Sequence, residues 1–170
     1  MARAKVSRRA NSSAVSAGLL AFRRRGDTLE YLLAHPGGPF WAHKDAGAWG
    51  IPKGLVETDI DLLTAARREF REETGFSAEG PFIPLAPVRQ RNGKTVHAWA
   101  FEADIDCAQC VSNLFELEWP PKSGHREQFP EIDRTAYFDY LTALEKMIAY
   151  QRPLLVELND RLSTGQAGKI

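Results

Sequence analysis

Arg68, Glu69, Glu72 and Glu73 fall within six positions of a 170-residue chain and are followed at once by Thr74 and Gly75. A helix advances about 100° per residue, so with Glu69 at zero, Glu72 falls near −60° and Glu73 near +40°. All three carboxylates then share an arc of about 100°, with Ala65 and Ala66 on the same side one turn earlier. Arg67, Arg71 and Thr74 are expected on the opposite, water-facing side. Three carboxylates this close repel one another and raise each other's pKa values. A hard divalent cation relieves the conflict, because Mg²⁺ takes oxygen ligands and keeps sites for water and phosphate oxygens. A solvated glutamate face paired with Arg67, Arg68 and Arg71 accounts for the spacing equally well.

The surrounding elements must hold that helix in place. Thr58 and Asp61 form a T-x-x-D capping pair and Gly75 stands where a C-cap belongs, which predicts a helix over roughly 59–74. Upstream, "SAVSAGLLAF" and "LEYLLAH" read as two apolar strands joined by a charged turn, "RRRGD". "HPGGPFWAHKDAGAWG" follows as a long irregular loop, and "WGIPKG" as a short extended segment. Downstream, Asn92-Gly93 marks a hairpin, with Val96, Ala98 and Ala100 on one strand face and His97, Trp99 and Phe101 on the other. "NLFELEW" alternates as a strand, "PPKSGHREQFPEIDR" reads as a polar loop, and "TAYF" as a short strand. Asp139 can cap a helix to about Ala149, and Pro153 can start a last amphipathic helix through about Leu162. With no internal repeat or linker, this is one α/β unit over residues 13–165, preceded by a flexible basic tail, residues 1–12.

Composition narrows the possibilities. Hydrophobic residues make up 44% and charged residues 26%, as in ordinary globular domains. Net charge is zero, so no general electrostatic footprint for a specific nucleic acid is expected. No apolar run reaches the roughly 20 residues that span a bilayer. Residues 1–26 hold seven Lys or Arg and no acid, which admits a targeting segment, but the apolar stretch reads better as a first strand. Cys107 and Cys110 form a lone C-x-x-C, short of the ligands a zinc site needs. They are read as two loop cysteines of a reducing cytoplasm. "NGKT" at 92–95 lacks the earlier glycine and the strand-to-helix context of a phosphate-binding loop.

The stretch 54–76 resembles the box of the Nudix hydrolases, the MutT-like family, G-x5-E-x7-R-E-U-x-E-E-x-G-U with U bulky and apolar. Gly54, Arg68, Glu69, Phe70, Glu72, Glu73, Gly75 and Phe76 match in register. Ile60 replaces the first glutamate of the box, a departure that touches helix-start geometry or substrate handling more than metal binding. "HPGGPFW" and "FELEWPP" are similar to stand-alone bacterial members described as NTP pyrophosphohydrolases.

The resemblance implies an α/β/α sandwich with a mixed central sheet and, here, a C-terminal helix extension. It also implies hydrolysis of a nucleoside diphosphate-linked small molecule by water attack on phosphorus. Mg²⁺ or Mn²⁺ would be held by Glu69, Glu72, Glu73 and the Gly54 carbonyl, with Arg68 orienting a glutamate. Several family members take a general base from a loop after the box, which points to Glu127 first, then Glu131, with Glu69 as the fallback. Trp41 and Trp49, with Phe40, would stack a planar ring of the nucleotide. Lys53 would meet phosphate, as could Lys44, Arg89 and Arg91. A monomer or homodimer without membrane or nucleic-acid partners is expected. Ile60 keeps open a catalytically silent binding module or sensor for nucleotides.

Overall fold

A computed structural model of the chain describes residues 14–165; the expected basic tail, residues 1–12, lies outside them. The near-continuous apolar run of the first strand is what a strand buried on both faces requires. In β1 (Val15–Arg25), Ala17, Leu19 and Ala21 pack to one side of the sheet, while Leu20 and Phe22 pack to the other. β2 (Thr28–Pro36) repeats the division, with Leu32 on the first side and Tyr31 and Leu33 on the second. The arginines expected in a turn instead continue β1, Arg23 opposite Glu30 and Arg25 opposite Thr28. The reversal itself needs only Gly26, at φ 58°, and Asp27.

Among the described residues six strands make one mixed sheet. β3 (Lys53–Leu55), β4 (Ile83–Arg89), β5 (Thr95–Glu102) and β8 (Ile132–Asp139) join β1 and β2 in the order β4-β5-β1-β2-β8, with β3 paired to β1. β1 runs parallel to β5 and every other pairing in this sheet is antiparallel. The Asn92-Gly93 turn joins β4 to β5, Gly93 at φ 87° donating its amide to the Gln90 carbonyl at 2.9 Å.

Helices cover both faces, which gives the expected sandwich. α1 (Leu62–Thr74) lays Ala65, Ala66 and Phe70 on Ala17, Leu19 and Phe101. α2 (Tyr140–Lys146) and α3 (Arg152–Ser163) lay Ala143, Leu154, Leu155, Leu158 and Leu162 on the other side. Local capping explains the helix ends. Asp139 accepts from the Thr142 amide at 2.9 Å and caps α2, which stops at Lys146, short of the expected Ala149.

The stretch expected as a polar loop is largely strand. β6 (Leu114–Glu118) pairs antiparallel with β7 (Arg126–Pro130), Leu117 opposite Glu127, in a separate two-stranded ribbon. The reason is tertiary: Phe115 and Phe129 pair across the ribbon with ring centroids 6.1 Å apart, so a strongly polar strand gains one apolar cross-strand contact. "TAYF" is the middle of the much longer β8, which pairs with β2 from Glu30 to Pro36.

Candidate active site

The carboxylate helix begins three residues later than expected, because Asp61, not Thr58, is its cap. The Asp61 carboxylate accepts from both the amide and the hydroxyl of Thr64 at 2.9 Å, which holds that carboxyl below its ordinary pKa. Gly75 ends the helix at φ 83°, its amide donating to the Arg71 carbonyl at 2.8 Å. One residue of the expected wet stripe is elsewhere: Thr74 is fully buried. Its hydroxyl donates to the Phe70 carbonyl at 2.7 Å and accepts from the Phe76 amide at 3.2 Å, so local hydrogen bonds satisfy it inside the protein. Arg67 and Arg71 are exposed.

Glu69 and Glu73 point inward and are 2% and 7% exposed, and Glu72 is half-buried at the rim. Arg68 lies between two of them, 3.6 Å from Glu69 and 3.9 Å from Glu72. Gly54 on β3 faces the Glu69 carboxylate so closely that a Cβ there would collide with it. Only glycine lets the β3 backbone and that carboxylate meet. On the same strand the Lys53 amide donates to Glu73 Oε2 at 3.1 Å.

Glu73 carries the clearest electrostatic signature, its pKa pushed up from 4.5 to about 8. Burial is the largest cause, followed by the charges of Glu131 and Glu69; Lys53 only partly opposes them. The charges of Glu69 on α1 and of Glu131 at the β7–β8 junction thus both bear on the buried Glu73. Among the described residues no three acidic, histidine or cysteine side chains already converge at ligating distance. The donor set nevertheless fits a hard divalent cation: all-oxygen donors, excess negative charge, and a glycine cradle where backbone and carboxylate touch.

The two base candidates separate. Glu131 stands between β7 and β8, half-buried, where its charge reaches Glu73; its amide donates to the Asn113 carbonyl at 2.8 Å. Glu127, the first choice, is on β7 rather than in a loop and is exposed.

The aromatic candidates separate as well. Trp49 is 4% exposed and belongs to the core, with His35 and Phe138 edge-on at 5.2 and 5.1 Å, Arg134 over its ring at 5.2 Å, and its Nε1–H donating to Asp45. No face of it is left to stack a ligand. The signal was available: Trp49 ends the loop just where the chain re-enters the sheet region. Trp41 is half-buried with the Lys44 ammonium 4.9 Å over its ring, and Phe40 is exposed beside Trp119. Lys53 is half-buried on β3, and Arg89 and Arg91 are exposed on and beyond β4.

Ile60 is half-buried and packs against the α1 side of the core, so an apolar contact stands where the box has its first glutamate. Sequence reasoning missed His35. Fully buried, its Nδ1 meets Asp133 at 2.7 Å and its Nε2 donates to the Lys44 carbonyl at 2.6 Å, tying the loop that carries Trp41 to β8. A histidine closing the otherwise apolar "YLLAH" was the available clue.

The profile of the NUDIX domain matches residues 13–157. An uncharacterized 17.7 kDa protein of Enterobacteria phage T4 is 33% identical over 94 residues, 54% of this chain and 61% of that protein. The match therefore spans less than two thirds of the relative's length. Among solved structures, a C. elegans Ap4A hydrolase binary complex is similar at a TM-score of 0.63 and 19% identity, covering 88% of this chain and 98% of that one. The NUDIX domain of Shewanella oneidensis NrtR, complexed with ADP ribose, is similar at 0.63 and 16%, covering 89% and 90%. At such identities these structures speak for the fold.

Proposed function

Because the chain belongs to the NUDIX family, we propose that it hydrolyses a pyrophosphate bond in a nucleoside diphosphate-linked small molecule with the help of Mg²⁺ or Mn²⁺. Membership of the family supports a pyrophosphohydrolase acting on nucleotide-linked compounds. The metal dependence rests on one observation: Glu73 is buried beside Glu69 and Glu131 with its pKa raised to about 8. A cation among the oxygens favours the ionised form of a charge cluster of that kind.

Glu69, Glu72 and Glu73, with the Gly54 carbonyl, would hold the ion. When bound, it would offset the charge of the bridging phosphates and of the leaving group. Arg68 keeps Glu69 and Glu72 oriented. Glu131 is the base that the geometry favours for taking a proton from the attacking water, since it faces the carboxylate cluster, whereas Glu127 lies exposed on β7. Trp41 would stack a planar ring of the substrate and Lys53 would meet its phosphate. The NrtR domain bound to ADP ribose and the Ap4A hydrolase are the reason to begin with those two nucleotide classes. Two cysteines, both free, fit a reducing cytoplasm as the place of action.

The test is release of phosphate, pyrophosphate and nucleoside monophosphate from NTPs, oxidised NTPs, dinucleoside polyphosphates and ADP-ribose, with and without Mg²⁺ or Mn²⁺. Metal-dependent turnover that falls by about 100-fold or more in Glu69→Gln and Glu73→Gln is expected, the scale on which mispositioned reacting groups act. Turnover indifferent to chelator and to both substitutions would overturn the assignment.

A further inference from the structure

Two side chains outside the carboxylate site stand together without a role in it. Cys107 opens a 3-10 turn, Cys107–Gln109, closed by the Cys110 amide donating to the Cys107 carbonyl at 3.2 Å. Residues three apart eclipse in such a turn, and three steps of about 2.0 Å put their α-carbons roughly 6 Å apart. That lies inside the span of about 4.4–6.8 Å that a disulfide accepts. Both thiols are free and half-buried, and with Thr135 on β8 both cysteines line one small cavity, so they border the same space. Cys107 also lines an open groove of about 510 Å³ with Arg23, Arg25, Asp104 and Tyr137, wide enough for a small polar oxidant. Two thiols alone fall short of the four ligands of a structural zinc site.

The turn is wired to the carboxylate helix. Immediately after it, the Val111 amide donates to the Thr74 carbonyl and the Asn113 amide to the Glu72 carbonyl, each at 2.9 Å. Glu73, Cys107, Cys110 and Thr135 line one small shared cavity.

We propose that Cys107 and Cys110 are a reversible dithiol–disulfide pair through which a small-molecule disulfide alters the geometry of Glu72 and Glu73. The Cys107 thiolate attacks one sulfur of the oxidant and expels one thiol. The Cys110 thiolate then attacks the Cys107 sulfur of the mixed disulfide and expels the second. The protein loses two electrons and two protons, and the oxidant is reduced to two thiols. Burial pushes both cysteine thiols above their ordinary range, which slows the first attack at neutral pH. Closing the bond draws the two sulfurs together and shifts the segment that holds the last turn of α1. The bond formation stands on the turn geometry alone; its effect on metal rests on the function proposed above.

The experiment treats the full chain with oxidised glutathione, then with dithiothreitol, and follows thiol titration, intact mass and Mn²⁺ affinity. Loss of both thiols with a mass decrease of two hydrogens, reversed by dithiothreitol, is expected. Oxidation should also weaken Mn²⁺ binding by about tenfold, the scale of changes just outside a metal's ligand shell. C110S should take up one glutathione and keep its Mn²⁺ affinity. A wild-type chain that stops at glutathione adducts refutes the bond, and a closed bond with unchanged Mn²⁺ affinity in a protein whose metal binding is otherwise intact refutes the coupling. Failure of Mn²⁺ to bind even the reduced protein would instead count against the proposed metal site and leave the bond to be decided by mass and thiol count.

Discussion

Glu73 makes the metal-free protein sensitive to pH in a direction opposite to most carboxylates. Folded, it holds its proton until about pH 8; unfolded, it releases it near 4.5. Between those values the folded state binds more protons, so stability falls as pH rises and levels off above 8. The difference of about 3.5 units, at about 1.4 kcal/mol each, sets a loss of about 5 kcal/mol. About 3.5 kcal/mol of that loss falls between pH 5 and pH 8, and for a chain this size about 1 kcal/mol moves the melting midpoint by about 2–4 °C, so chelated protein should melt about 7–14 °C lower at pH 8 than at pH 5. Glu73→Gln keeps the shape of the protonated side chain without the charge. Its melting curve in chelator should be nearly flat across this range and should exceed that of the parent at pH 8. Mg²⁺ or Mn²⁺ should restore the parent at pH 8 and do little for the variant. A differential scanning series in chelator decides it. A parent whose midpoint does not fall between pH 5 and 8, or a Gln variant that falls equally, would refute the burial-and-repulsion account of this residue.

Other substitutions separate the roles of neighbouring residues. Gly54→Ala forces a Cβ into the Glu69 carboxylate and should lower kcat by about 100-fold with little change in far-UV dichroism. Glu131→Gln should cost about 10²–10⁴ in kcat, the usual range for a lost general base, and Glu127→Gln should leave kcat near that of the parent; the reverse order in a steady-state assay would return the role to Glu127. Trp49→Ala should destabilise by about 3–5 kcal/mol as a core truncation, whereas Trp41→Ala should raise KM with a nearly unchanged melting midpoint. His35→Phe strips the Lys44 carbonyl of its donor and leaves Asp133 with Arg134 alone, and should cost about 2–3 kcal/mol in urea unfolding.

What could be read without coordinates was local. The spacing of Glu69, Glu72 and Glu73 put them on one face because 3.6 residues make a turn whatever surrounds the helix. Gly75 and Asn92-Gly93 were legible because a positive φ is a property of the residue itself. Leu154, Leu155 and Leu158 declared a buried stripe by period alone, and the box register carried the family. Asp61 displaced Thr58 as the cap within three residues of the expected start, a local error of the usual size at helix ends.

What the chain alone left open depended on residues far apart in sequence. Thr74 sits on the outward side of the wheel, yet the segment 111–113 folds over the end of α1 and buries it. The polar run 120–134 became strands only because β6 lies beside β7 and β2 beside β8. Those pairings carried Glu131, rather than Glu127, to Glu73, and brought Asp133 to His35 across 98 positions. Helix periodicity and turn chemistry act over a few bonds and are written residue by residue. Burial, pKa and the identity of a neighbour come from which surfaces meet, and that is set only when the whole sheet has closed.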